Sequence, residues 1–185
     1  TFARAKTFFG HGIVAHVSMA HPVCARLGAM VAAAAVAAAI PCVRGGTYLV
    51  MEGPQFSTLA ESHLYRAWGC DVIGMTNMPE AKLAREAEIC YATVAMVTDY
   101  DAWHPDHDHV QVADVLRVLA ANADQGRALI GRTAPGLADR PVPCPHGCDR
   151  ALDVAIVTPR AAWPAQAAER LAAILARVAG QDGAS

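Results

Sequence analysis

Thr47-Tyr48-Leu49-Val50-Met51-Glu52-Gly53-Pro54-Gln55-Phe56-Ser57-Thr58 is a β-type run that ends in a turn and then opens a helix. Tyr48, Leu49 and Val50 suit a pleated strand, and Gly53-Pro54 breaks it. Ser57 is a natural N-cap for a helix reaching about Trp68, with Glu61 near the first turn. Gly69 ends that helix, and Asp71-Val72-Ile73-Gly74-Met75 repeats the pattern as a second short strand. Pro79 and Glu80 open the next helix, to about Glu88. Residues 89–97 are apolar almost throughout, as expected of a strand buried on both faces.

Working outward, residues 22–39 read as a helix with Pro in its first turn, Ala throughout and Pro41 after its end. Downstream come a polar loop over 99–109, a long helix over 110–132, a Pro/Gly-rich loop over 134–149 and a last helix over 164–178. Strand alternating with helix predicts an α/β fold, a mostly parallel or mixed twisted sheet flanked by helices. Ligands of such sheets bind outside the carboxyl ends of the strands. The unusual polar residues fall there: Glu52, Phe56 and Ser57, then Met75-Thr76-Asn77, then Asp99-Tyr100-Asp101. Three separate segments are expected to converge on one crevice.

The 185 residues fit one domain, with 54% hydrophobic and 17% charged residues and a formal net charge of -2. No run of Lys or Arg forms a basic stripe, which argues against a nucleic-acid or anionic-membrane partner and for a small substrate. The Ala-rich run 29–40 is too short to span a membrane. The chain opens at Thr1 without an initiator Met or a signal peptide, and this start reads as a truncation. No G-x-G-x-x-G marks a dinucleotide fold. Four of the six cysteines, Cys24, Cys42, Cys70 and Cys90, lie in apolar segments as small buried hydrophobes, which suits a reducing, cytoplasmic setting. Cys144-Pro-His-Gly-Cys148 offers at most three zinc ligands where about four are needed, at a spacing unlike common zinc knuckles, so it reads as an ordinary loop, a local disulfide or a redox pair. His104, His107 and His109 alternate with Asp106 and Asp108. They read as a solvated loop rather than a functional metal cluster.

Glu52-Gly53-Pro54-Gln55-Phe56-Ser57-Thr58-Leu59-Ala60-Glu61, Gly74-Met75-Thr76-Asn77-Met78-Pro79-Glu80, Ala95-Met96-Val97-Thr98-Asp99-Tyr100-Asp101-Ala102-Trp103 and His16-Val17-Ser18-Met19-Ala20-His21-Pro22-Val23-Cys24 resemble, in order and spacing, blocks of the methylthioadenosine-type purine nucleoside phosphorylases. The resemblance covers residues 1 to about 160. It implies a homotrimer that splits a purine N-glycosidic bond with inorganic phosphate as co-substrate and needs no metal or organic cofactor. It also implies that residues 1–185 are the C-terminal part of a single phosphorylase domain. The glycine-rich phosphate turn, an Arg-His pair and a Thr-Ala segment would then lie upstream of Thr1. On that reading the 185 residues alone do not catalyse phosphorolysis and fold poorly.

The resemblance implies these roles. Asp99 donates a hydrogen bond to purine N7, for which the carboxyl must hold a proton, as burial would favour. Asp101 accepts from a 6-amino group, Phe56 stacks on the base, and Ser57 lies near the base edge. Met75 packs under the ribose and Thr76 donates to phosphate. His16, Val112, Val115 and Leu116 surround the 5′ substituent, and Val157 reaches into a neighbouring subunit's pocket. Plain structural roles stand beside these. Asp99 and Asp101 would cap a turn, Phe56 and Met75 would fill a core, and Thr76 would cap a helix. Val112, Val115 and Leu116 at i, i+3 and i+4 would be one core face. Enzymes of the superfamily that act on 6-oxopurines carry Glu after the stacking Phe and Asn where Asp99 stands. Ser57 and Asp99 therefore favour adenine. A non-catalytic nucleoside-binding module is the alternative of a different class.

Overall fold

The computed structural model describes residues 3–104, 112–139 and 141–180, with side chains 112–115 left out. It is α/β. Helices α1 (Ala25–Ala37), α2 (Leu59–Ala67), α3 (Asn77–Glu86), α4 (Val112–Thr133), α5 (Ala165–Arg170) and α6 (Ala172–Ala179) accompany strands β1 (Tyr48–Val50) and β2 (Val72–Gly74). The strands pair in parallel, with Tyr48 opposite Val72, Leu49 opposite Ile73 and Val50 opposite Gly74. The crossover between them is α2, as a parallel pair requires.

Local chemistry sets the element ends. The cap of α2 is Thr58 rather than the expected Ser57: its Oγ1 accepts from Glu61 N, and Glu61 Oε2 accepts from Thr58 N at 2.8 Å. This reciprocal box satisfies two backbone donors at once, which the one-sided Ser57 cap would not. In α3, Met78 is extended (φ -113°, ψ 131°), so the continuous helix starts at Pro79. The last helix breaks at Leu171 (φ -94°, ψ 7°) into α5 and α6.

The expected strand over 89–97 is not formed. Val94, Met96 and Val97 are 45%, 45% and 60% exposed, and Val97 O accepts from Asn122 Nδ2 of α4 at 3.1 Å rather than from a ladder. A strand buried on both faces needs a neighbour on each side. Among the described residues the sheet has two strands, and neither pairs with this run.

The chain divides into two compact units. Among the described residues, one comprises 28–77, 93–104 and 112–139, the other 3–27, 78–92 and 141–180. The first holds β1, α2, β2 and α4. The second has an apolar core of Phe9, Ile13, Leu152, Ala155, Ala167, Leu171 and Leu175. An ion-pair network borders it. Glu88 accepts from Arg177 Nε at 2.6 Å and Nη2 at 2.5 Å and from Leu152 N at 2.8 Å, and Arg177 also reaches Asp153 at 2.6 Å. A smaller cluster of the same unit consists of Cys24, Cys144 and Cys148, with Leu27 and Cys90 against it. Cys42, expected to be buried, is exposed, because residues 41–47 lie outside any packed element.

Candidate active site

The parallel register of β1 and β2 sends both carboxyl ends the same way, and Met51 N continues the pairing by donating to Gly74 O at 2.9 Å. The turns after the two strands therefore lie side by side. Gly53 (φ 73°) leaves the first turn in the left-handed region, and a Cβ there would sit 2.5 Å from Met75 Sδ. Glycine is demanded by both conformation and space. Met75 is thus packed against the Glu52-Gly53-Pro54 turn, half-buried. Ser57 Oγ lies 3.6 Å from Met51 Sδ. Thr76 is exposed at the entry to α3, and Asn77, 9% exposed, accepts from Thr93 Oγ1 at 2.5 Å. Phe56 is 80% exposed. That rules out a core role for its ring among the described residues and leaves a free aromatic face.

The third segment is tied to α2. Arg66 holds its guanidinium 3.6 Å from the Trp103 ring centroid. Tyr100 stacks on His104 at 4.5 Å and meets Trp103 edge-on at 5.7 Å. Burial, then the negative charges of Glu61 and Asp101, push the Tyr65 phenol up, so Asp101 faces α2. A single helix thereby follows Phe56-Ser57 at its start and grips residues 100–104 near its end. The sequence carried no signal for the Arg66–Trp103 contact, which rests on a meeting of segments far apart in the chain.

Asp99 accepts from Thr98 Oγ1 at 2.6 Å. Its expected burial is not found. Asp99 is exposed, because its neighbours Val97 and Tyr100 are themselves 60% and 54% exposed and do not cover it. Asp101 is half-buried, and its backbone O closes a turn by accepting from His104 N at 3.2 Å. Leu116 on α4 is 58% exposed, which does not fit a core face. The side chains of Val112 and Val115, and His107 and His109 altogether, lie outside the described residues.

His16 and Val157 belong to the second unit, where the structure brings them together. His16 N donates to Ala155 O at 2.8 Å and Val157 N to Val14 O at 2.9 Å, around an antiparallel bridge of Ala15 with Ile156. Both are exposed, Val157 at 62%. Phe56, Ser57, Met75, Thr76, Asp99, Asp101 and Leu116 all belong to the first unit.

Residues 1–133 match the family described as the phosphorylase superfamily. The S-methyl-5′-thioadenosine phosphorylase of Rhodospirillum rubrum is 63% identical over 180 residues, covering 97% of this chain and 61% of that protein. That of Cereibacter sphaeroides is 59% identical over 178 residues, covering 96% and 61%. A crystal structure of a methylthioadenosine phosphorylase from an Antarctic soil metagenomic library is similar with a TM-score of 0.85 and 47% identity, covering 93% of this chain and 60% of that one. The chain spans about three-fifths of the length of the curated relatives it matches. Among the described residues no helix is long and apolar enough to cross a membrane.

Proposed function

The chain belongs to the phosphorylase superfamily, and from that premise we propose that the whole protein splits S-methyl-5′-thioadenosine with inorganic phosphate. The products are adenine and S-methyl-5-thio-α-D-ribose 1-phosphate, a step that salvages the methylthio carbon skeleton. Residues 1–185 are the C-terminal part of one phosphorylase domain and supply its purine and ribose side. The observation that carries the proposal is the 63% identity, across 97% of this chain, with a relative of that name.

The chemistry follows from the residues. Phosphate oxygen attacks C1′ as the C1′–N9 bond breaks, and the departing electron pair spreads into the purine ring. Asp99 in its protonated form donates to N7, where that charge accumulates, and is reprotonated from solvent after adenine leaves. The exposed face of Phe56 takes the purine. The bound base then covers Asp99, supplying the desolvation that the unliganded chain does not. Asp101 accepts from the 6-amino group and Ser57 lies at the base edge, a pair suited to adenine. A 6-oxo group facing the Asp101 carboxylate would meet repulsion. Met75, fixed by Gly53, lies under the ribose, and Thr76 donates to phosphate.

The resemblance assigns His16, Val112, Val115 and Leu116 to the 5′-methylthio group, the last three of them apolar. An apolar wall leaves a 5′-hydroxyl without a partner. The exposed Val157 reaches a neighbouring subunit, and the assembly is a homotrimer in the cytoplasm. No metal takes part in the chemistry.

The test is release of free base by the protein expressed from its complete coding sequence, with and without phosphate, from methylthioadenosine, methylthioinosine and inosine. Adenine release that requires phosphate supports the proposal. Preferred turnover of methylthioinosine or inosine moves the protein to the 6-oxopurine enzymes. No phosphate-dependent turnover of any of them makes it a nucleoside-binding module.

A further inference from the structure

Cys144 and Cys148 bracket a turn in the second unit, and the fold brings two more thiols to them. The Sγ atoms of Cys24, Cys90, Cys144 and Cys148 all lie within 4.8 Å of one another, with Cys24 and Cys144 at 3.9 Å. We propose that these four cysteines form a tetrathiolate site for one structural zinc ion. The site is separate from the phosphorolysis site and does not depend on that reading.

Four observations support it. The first is geometry. A zinc ion with sulfurs at ~2.3 Å in a tetrahedron sets them roughly 3.8 Å apart, near the observed 3.9 Å. The second is origin. Cys24 precedes α1, Cys90 follows α3, and Cys144 and Cys148 come from the loop beyond α4; against the sequence-based expectation, the three residues between the last two fall within the roughly two to four found between paired zinc ligands. Gly147 (φ 64°) takes the left-handed conformation that curls this turn, closed by Gly147 N donating to Cys144 O at 2.9 Å. Asp149 accepts from Cys144 N at 2.9 Å and fixes the loop's approach.

The third is composition. All three buried members of this cluster are cysteines, and only Leu27 among its packed neighbours is not. Apolar packing alone does not call for a core made of thiols, since each buries little surface. Disulfides call for thiols in pairs, not for four in mutual reach. The fourth is charge. Zinc with four thiolates carries two net negative charges, which need an outer partner. Arg26 Nη2 lies 3.9 Å from Cys90 Sγ. On binding, four zinc–sulfur bonds form, each thiol yields its proton to the solvent, and nothing is oxidised. The ion would staple the Pro-rich loop, α1 and the end of α3 together. Cys42, which is exposed, and Cys70 lie outside the cluster.

The experiment uses the protein from its complete coding sequence, untagged and kept reduced with a phosphine. Metal content is measured by atomic emission, and exchange with cobalt(II) is followed by absorption. The expected result is about one zinc per chain, with thiolate-to-cobalt charge-transfer bands and the visible bands of a tetrahedral tetrathiolate. Cys144→Ser should lose the zinc and weaken those bands, while Cys42→Ser should keep both. Reduced, folded protein that takes up neither zinc nor cobalt overturns the proposal. So does a mass, taken on the unaltered protein purified anaerobically without reductant, showing that these cysteines are paired in disulfides. Both of these measurements are made on the unaltered protein, so they decide the matter even where a variant fails to fold.

Discussion

Phe56 leaves 80% of its surface open, so its ring adds little to folding. Phe56→Ala is therefore expected to leave thermal unfolding unchanged while lowering kcat/KM for methylthioadenosine about 10- to 100-fold, the scale of a lost base–aromatic stack. Steady-state kinetics beside a melting curve separates the two effects, and a large drop in melting temperature would mean the ring packs in a core. The place of Phe56 and Ser57 between the end of β1 and the start of α2 was legible because a strand end followed by a helix start is written in a dozen consecutive residues. Asp99 was legible as a position but not in its surroundings, since its exposure depends on how far Val97 and Tyr100 pack, and no local pattern encodes that.

The elements around the site followed the local rules where those rules are strong. β1 and β2, α2 and the start of α3 at Pro79 fall where β-propensity, glycine and proline put them. The start of α2 departs by one residue, for a definite reason. Ser57 and Thr58 are adjacent caps, and Glu61 sits three residues after Thr58 only, so the capping box selects the later one. Thr58→Ala should cost about 1 kcal/mol in chemical denaturation. A cost near zero would show that the start of α2 is held by other contacts. The run 89–97 failed as a strand because hydrophobicity announces that a segment seeks burial but not that partners are present to pair with it. The convergence of Cys24 and Cys90 on Cys144 and Cys148 was equally illegible, for thiols from three stretches of chain meet only in the folded state.

At the level of the whole chain, each unit has its own means of holding together. In the second, Glu88 is nearly buried (side chain 9% exposed) and bound by both Arg177 nitrogens that face it, while Arg177 is 30% exposed. Hydrogen bonding to Glu88, working against partial burial and aided by Asp153, raises the Arg177 guanidinium still further above its ordinary range. Arg177→Ala would strand the Glu88 carboxylate against the core and should destabilise the protein by about 2–4 kcal/mol, allowing for the partial exposure of the arginine. A loss below about 0.5 kcal/mol would put the pair among ordinary surface ion pairs.

The chain matches its relatives across nearly all of its own length and three-fifths of theirs, so the activity is to be sought in the whole protein. If Asp99 makes that protein an adenine-releasing phosphorylase, its replacement should change both rate and choice of base. The decisive quantity is kcat/KM for methylthioadenosine and for methylthioinosine, in the unaltered protein and in Asp99→Asn. The unaltered protein should prefer methylthioadenosine. The substitution should lower that activity by roughly 10²–10³, as loss of a transition-state donor does, and narrow or reverse the preference. Equal loss on both substrates, or a protein that prefers methylthioinosine from the start, would contradict the role given to Asp99.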